Sequence, residues 1–363
     1  MKKIRKILIV VQRSNGDVFL CASLLRFISR HYNSPKIDIL VNDDTYPVAN
    51  LLPLVDKIHT FSYERKLNSR WLQEKELFMK LFKQYDLSIN LTSSDRSVIY
   101  ALIAGKKSIS IVEKDFKKSW WKKLLLSKYY FYDSNYHILK LNLTPLKILG
   151  IDHDNIQHKI EIRNEVINKV RKKLVDKGIN DFIIFHPSAQ YKYKIFPRDS
   201  RDLLMKLLSN LGISVVITGT NNIIDAEIKL NLPTLPNIFD FIGETSLEEY
   251  FALSNLSQAY IGMDTLNMHI AASQNKRIFA IFGPTNLSMW SPWSNQLKAC
   301  TSINAPVQTY SNITIFQANM PCVPCGNAGC DNNHGKSECL FNINPELIFQ
   351  EVKNWFQQKN TFL

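Results

Sequence analysis

Two trains of apolar and polar positions run along this chain, each switching between a strand rhythm and a helix rhythm. In the first, the segments KILIVV (6–11), KIDILV (36–41), DKIHTF (56–61), DLSINL (86–91) and KSISIV (107–112) read as strands. Helix-period stretches separate them at about 17–31, 72–83 and 95–104. Such alternation predicts a parallel sheet with helices on both faces. The rhythm restarts at DFIIFHP (181–187) and continues through ISVVITG (213–219), NIFDFIG (237–243), QAYIGMD (258–264) and RIFAIFG (277–283). Helices are expected between them near 199–210, 222–230, 246–254 and 265–273. Between the two trains, LGIDHDNIQHKIEIRNEV loses both periods and reads as the linker. The expected organisation is a Rossmann-like domain over 1–160, a second over 161–343, and a helix over 344–363 that packs back on the first domain.

Length agrees with two domains, because 363 residues exceed what one core usually holds. With 45% hydrophobic and 21% charged residues the composition is globular. No apolar run reaches the roughly 18 residues of a membrane span, and MKKIRKILIVVQRSNGD turns polar too early for a secretory signal. The expected location is therefore the cytoplasm, where the six Cys stay reduced. Charge changes the picture further. The net charge is +13, and residues 1–150 hold 26 Lys and Arg against 13 Asp and Glu, whereas residues 151–363 hold 19 of each. The whole excess lies in the first half, where it would draw an anionic partner: nucleic acid, a membrane surface or a phosphorylated glycolipid.

Open α/β sheets bind ligands beyond the carboxyl ends of their strands, and two such domains facing each other make a cleft there. Four strand-to-helix turns carry distinctive chemistry: RSNGD (13–17), HPSAQYKYKIFP (186–197), GTNNIIDAE (219–227) and GMDTLNMHIAAS (262–273). On these residues the chain resembles the family nine glycosyltransferases, the heptosyltransferases that build the lipopolysaccharide inner core. The matching features are a strand followed by RxxxGD, the HPS turn followed by KIFP, the segment DTxxMHIAA, and a strand ending in FGPT followed by W and P. They occur in the family's order from about residue 4 to 293. The resemblance implies the α/β GT-B architecture, two Rossmann-like doubly wound parallel-sheet domains facing a central cleft. It also implies an inverting glycosyltransferase with no cofactor for catalysis, with ADP-heptose as the first candidate donor and a lipopolysaccharide core or related glycan as acceptor.

Each candidate residue has a plain reading beside the functional one. Asp17 alone is a helix-start carboxylate, stabilised by the free N–H groups and dipole there. A glycosyl transfer, however, needs a base to take the proton of the attacking hydroxyl, and a carboxylate on a short Gly turn could approach it closely. The resemblance gives Asp17 that role. Arg13 could grip an acceptor carboxylate or phosphate in bidentate fashion, with Asn15 and Gly16 beside it on the acceptor. The departing nucleoside diphosphate gathers charge that helix N-termini and cations stabilise. Ser188, Lys192 and Lys194 suit that task, and analogy with the family's Lys before an aromatic-Pro pair favours Lys194. Asp225 or Glu227 could accept from ribose hydroxyls, or be carboxylates on a surface helix. Asp264 and Thr265 open a helix with His269 one turn on, which the resemblance to DTGxxHLAAA makes donor contacts. Leu266 stands where relatives carry Gly, so the backbone should approach the phosphate less closely.

Two further segments stand out. FKKSWWKKLLLSKYYFYDSNYH (116–137) interleaves Lys with Trp and Tyr. It reads either as an interfacial segment lying on the inner face of an anionic membrane or as a core helix with solvated Lys. Cys322, Cys325, Cys330 and Cys339 are spaced C-x2-C-x4-C-x8-C, which predicts a structural Zn or Fe site, with free thiols or disulfides as alternatives. Cys21 and Cys300 fall in apolar surroundings and are expected in the core. A basic chain with a four-Cys knuckle could bind nucleic acid. Residues 301–363, however, hold three Lys and Arg against four Asp and Glu, so no nucleic-acid partner is expected. The remaining alternatives are transfer of another sugar, transfer onto a protein, and a nucleotide-sugar epimerase of GT-B fold.

Overall fold

A computed structural model describes residues 4–361 of the chain. It falls into two compact units, Met1–Glu161 and Ile162–Leu363.

The first unit runs β1 (Lys6–Val11), α1 (Asn15–Phe19), α2 (Ala22–His31), β2 (Lys36–Asn42), α3 (Tyr46–Ala49), β3 (Lys57–Phe61), α4 (Tyr63–Asn68) and α5 (Arg70–Leu81). It continues with β4 (Tyr85–Asn90), α6 (Asp95–Ala104), β5 (Gly105–Val112), α7 (Phe116–Leu125), β6 (Lys128–Phe131) and α8 (Ile138–Leu149). All six strands are parallel, in the order β3-β2-β1-β4-β5-β6. The chain steps from β1 one way to β2 and β3, then crosses back and steps the other way through β4, β5 and β6. Right-handed crossovers in one direction place their helices on one face. Accordingly Leu77 and Leu81 of α5 and Tyr100 and Ala104 of α6 pack on Leu8, Val10 and Leu40. Val98, Trp121 and Leu126 extend that layer over Val112. The helix expected over 17–31 is two helices, because the Cys21 N–H turns back to the Val18 carbonyl at 3.3 Å and tightens the end of α1. The segment 116–137 is not one element either: it divides into α7 and the edge strand β6.

The second unit runs α9 (Asn164–Asp176), β7 (Phe182–His186), α10 (Arg198–Leu208), β8 (Ser214–Ile217), α11 (Ile223–Leu230), β9 (Ile238–Asp240), α12 (Leu247–Leu256), β10 (Ala259–Met263) and α13 (Leu266–Ser273). It ends with β11 (Arg277–Ile281), α14 (Leu287–Trp290), β12 (Val307–Tyr310), β13 (Ile313–Phe316), α15 (Glu338–Phe341) and α16 (Pro345–Thr361). The strand order is β12-β13-β11-β10-β7-β8-β9, parallel except for the β12–β13 hairpin. Gly262 in β10 lets that strand approach β7, since a side chain there would strike the His186 carbonyl oxygen. Ile348 and Val352 of α16 are fully buried in the second unit's own core, and Trp355 meets Phe279 with ring centroids 5.9 Å apart. Its apolar stripe packs in that core.

Candidate active site

In the first unit the sheet's order reverses between β1 and β4, the place where such sheets hold ligands. Beyond β1, the Gln12 N–H donates to Thr92 Oγ1 at 3.0 Å, and Ser14 then starts α1 in extended conformation. Gly16 and Asp17 are therefore part of a helical turn and not of a loose Gly loop. Asp17 is buried, with its side chain 4% exposed; Oδ1 lies 2.8 Å from Arg13 Nε and Oδ2 accepts from Ser14 Oγ at 2.6 Å. Arg13 is thus engaged at Nε by the carboxylate, with its guanidinium 5.8 Å over the Tyr132 ring. Asn15 Oδ1, both amide atoms of Gln12, and Asn42 Oδ1 are buried without a partner. Buried polar atoms without partners cost stability, so a group of them at one strand edge marks a place suited to a polar ligand. Sequence reading missed Gln12 and Asn42. The available signal was register: Val11 pairs with Val41, which puts the next residue of each strand side by side.

The second unit has its own reversal, between β7 and β10, with β8 on the far side of β7. The turns after these strands carry the donor-site candidates. Lys194 Nζ lies 2.9 Å from Asp264 Oδ2. Burial works against the lysine's charge, but the Asp264 carboxylate outweighs it and holds the ammonium above its ordinary pKa. His269 is buried and pushed down to about 4 by desolvation, against the pull of Asp264, so it is neutral at physiological pH. Thr265 stands just before α13, but its hydroxyl donates to the Met263 carbonyl at 3.4 Å and makes no cap bond to the helix. Uncapped helix N–H groups suit an anion. Leu266 is the first residue of α13 and sits in ordinary helical backbone, so the position makes no demand for Gly.

Around β8 the candidates separate. Asp225 is buried, and its Oδ2 accepts from Thr220 N at 2.6 Å, Thr220 Oγ1 at 2.7 Å and Asn222 Nδ2 at 2.9 Å, while Oδ1 has no partner. A surface-helix carboxylate is thereby excluded for Asp225, which folds the turn it sits on. Glu227 is exposed and fits that plainer reading. With the exposed Lys192 it lines a separate cavity of about 300 Å³ beside Arg198, Arg201 and Lys336. Lys192 and Lys194 therefore face different surroundings, and only Lys194 joins Asp264. Ser188 is buried in the same loop, which closes where the Phe196 N–H donates to the Pro187 carbonyl at 3.2 Å. Buried His186 has a lowered pKa from desolvation, opposed by Asp225, and its Nδ1 lies 3.0 Å from the Thr218 carbonyl and 3.2 Å from Asn267 Nδ2. Asn267 is a further residue that sequence reading did not single out.

The Cys-rich segment departs from its expected chemistry. Cys339 is drawn into the hydrophobic core with Leu340 and Ile343, whereas Cys322, Cys325 and Cys330 are exposed. Burial first, then the neighbouring Cys325, Cys330 and Cys322, push the Cys339 thiol up to about 11. Among the described residues no group of three or more His, Cys, Asp or Glu is arranged to hold a metal ion, so the Zn or Fe site read from spacing has no ligand set here. The segment instead meets the loop after β7 through His334, whose ring centroid lies 5.6 Å from those of Tyr191 and Tyr193. Cys21 is buried as expected, its thiol pushed up to about 12 by desolvation, and Cys300 is half-buried.

The family model described as Glycosyltransferase family 9 (heptosyltransferase) matches residues 75–318. Lipopolysaccharide heptosyltransferase 3 of Escherichia coli is 24% identical over 293 residues, which span 78% of this chain and 85% of that protein. Among solved structures, the glycosyl transferase family 9 protein of Veillonella parvula aligns with a TM-score of 0.76 at 18% identity over 98% of both chains. The E. coli ADP-heptose lps heptosyltransferase II aligns with a TM-score of 0.71 at 19% identity, over 98% of this chain and 99% of that one. The fold is shared along nearly the full length: α/β, with two parallel-sheet domains of the GT-B kind.

Proposed function

This chain belongs to glycosyltransferase family 9, and from that premise we propose that it moves heptose from ADP-heptose onto a lipopolysaccharide core or closely related glycan, with inversion at the anomeric carbon. The observation that carries the reading is the environment of Asp17: a buried carboxylate oriented by Arg13 and Ser14 at the end of a central strand. An acceptor hydroxyl oxygen attacks the anomeric carbon, the bond to the diphosphate oxygen breaks, and the hydroxyl proton passes to Asp17. Arg13 holds the carboxylate in place, while Asn15, Gly16, the unpartnered amide of Gln12 and Asn42 Oδ1 contact the acceptor sugar.

The leaving ADP is stabilised in the second unit. Lys194, kept charged by Asp264, and the uncapped start of α13 at Thr265 meet the diphosphate, with Ser188 beside them. Neutral His269 orients the donor without adding charge, and the free Oδ1 of Asp225 accepts from a ribose hydroxyl. Glu227 and Lys192 stand outside this set. No cofactor enters the reaction. The acceptor is an anionic glycolipid drawn by the basic first half, and the reaction takes place in the cytoplasm at the inner face of the membrane. Support for the donor and acceptor comes from the heptosyltransferases this chain is similar to.

The test is ADP release from ADP-heptose with and without a core oligosaccharide acceptor. Release that depends on the acceptor, with a heptosylated product, is the expected result. Sugar conversion without acceptor would move the assignment to an epimerase.

A further inference from the structure

We propose that the outward faces of α5 and α7, on one layer of the first unit, dock this protein on an anionic lipid bilayer. The inference deepens the reading above, since it rests on an acceptor carried by lipid, but its chemistry is visible without the reaction. Helix α5 has two apolar stripes. One, with Leu77 and Leu81, is buried on the sheet. The other, Trp71, Leu72, Phe78, Met79 and Phe82, recurs at helical spacing on the outside, with Trp71 84% and Met79 70% exposed. Helix α4 buries no residue and adds Leu67, 85% exposed.

Helix α7 repeats the arrangement. Its inner face is fixed by Lys122, whose fully buried ammonium donates to Glu113 Oε2 at 2.8 Å and to the Ser93 carbonyl at 2.7 Å and pairs with Asp95 at 2.8 Å. Its outer face carries Phe116, Trp120 and Leu124 one turn apart, all more than half exposed. Cations are woven among these rings. Lys66 lies 5.7 Å from the Tyr63 ring, Lys83 5.2 Å from Phe82, and Lys123 5.6 and 5.0 Å from Phe116 and Phe131. Residues 63–128 hold fifteen Lys and Arg against seven Asp and Glu. Exposed apolar residues on this scale mark an interaction surface, and aromatic and Leu side chains ringed by Lys match the boundary of an anionic bilayer. Charge selects that occupant over a second copy of the chain, because two surfaces of the same positive sign repel.

The full-length protein is sedimented with vesicles of phosphatidylcholine alone and with vesicles that also contain phosphatidylglycerol. Binding to the second kind, at least about tenfold tighter than to the first and lost as salt rises, is expected. Trp71→Ala with Trp120→Ala, and separately Lys117→Glu with Lys118→Glu, should each weaken binding by about tenfold or more while ADP affinity and circular dichroism stay unchanged. Vesicle binding needs neither ADP-heptose nor turnover, so a failed donor assay leaves the docking result standing, and the reverse. Equal binding to both vesicle types, no binding, or undiminished binding by both variant pairs would overturn the proposal. Concentration-dependent dimerisation abolished by the Trp pair, without vesicle binding, would overturn it in favour of a second copy.

Discussion

In both units a buried carboxylate meets a more exposed cation where the chain leaves a central strand. Asp17, 4% exposed, pairs with Arg13, 23% exposed, at 2.8 Å; Asp264, 8% exposed, pairs with Lys194, 25% exposed, at 2.9 Å. The pairs are alike in distance and depth, yet the reading gives the reagent's role to the carboxylate in one and to the cation in the other. What separates them is the company each keeps. Asp17 sits inside α1, takes a hydroxyl hydrogen bond from Ser14, and has unpartnered amide atoms nearby that suit the hydroxyls of a sugar. Lys194 sits on a loop beside the uncapped N-terminus of α13 and a neutral His, surroundings that suit phosphate. An ion pair alone does not say which partner acts; the unused donors and acceptors around it do.

The largest effect should come from making the first pair resemble a merely structural one. Asp17→Asn keeps the shape and removes the proposed base, and kcat should fall by about 10²- to 10⁴-fold. Retention of more than about a tenth of the wild-type rate would mean that the carboxylate only positions α1. Next is Arg13→Gln, which asks whether Arg13 serves the base or the acceptor. If it orients Asp17, kcat should drop by about tenfold or more with the acceptor KM nearly unchanged. A rise in acceptor KM at constant kcat would return Arg13 to direct acceptor binding.

The second unit makes a separate prediction about acid. Unfolded His titrates near about 6.5, whereas folded His269 does so at about 4 and His186 is also lowered, both chiefly by burial. Below the unfolded value the unfolded chain takes up protons that the folded chain refuses. Stability should therefore be full above about pH 6.5, fall on acidification, and stop falling on account of His269 below about pH 4. The His269 share is on the order of 3 kcal/mol. Thermal melts across this range should show a shallower acid slope for His269→Gln than for wild type; parallel slopes would mean that His269 is protonated in the fold. The smallest expected effect belongs to Leu266→Gly. Because Leu266 already occupies ordinary helical backbone, ADP affinity should change by less than about threefold, and a larger gain would show that its side chain obstructs the donor.

Much of this was legible in the sequence, because parallel strands buried on both faces are continuous apolar runs and their turns fall at predictable places. Asp17, Lys194 and Asp264 could be singled out as residues on such turns. That Lys194 rather than Lys192 meets Asp264, and that Arg13 meets Asp17, depends on side-chain direction across the fold, which spacing does not encode. The β12–β13 hairpin was missed since VQTY and ITIF are only four residues each and VQTY is half polar. An amphipathic stripe shows that a helix such as α16 packs, but not that Ile348 and Val352 meet the second unit's core. Cys spacing suggested a metal, but the apolar neighbours Leu340 and Ile343 pull Cys339 into the core, and that competition is tertiary.

The division of labour between the two pairs is tested most directly by calorimetric titration of ADP into wild type, Lys194→Ala and Asp17→Asn. Lys194→Ala should bind ADP about tenfold or more weakly, with less loss for adenosine, since a charge-assisted contact to phosphate is removed. Asp17→Asn should bind ADP within about twofold of wild type, since the proposed base acts on the acceptor. Unchanged ADP affinity in Lys194→Ala, or a comparable loss in Asp17→Asn, would contradict the account.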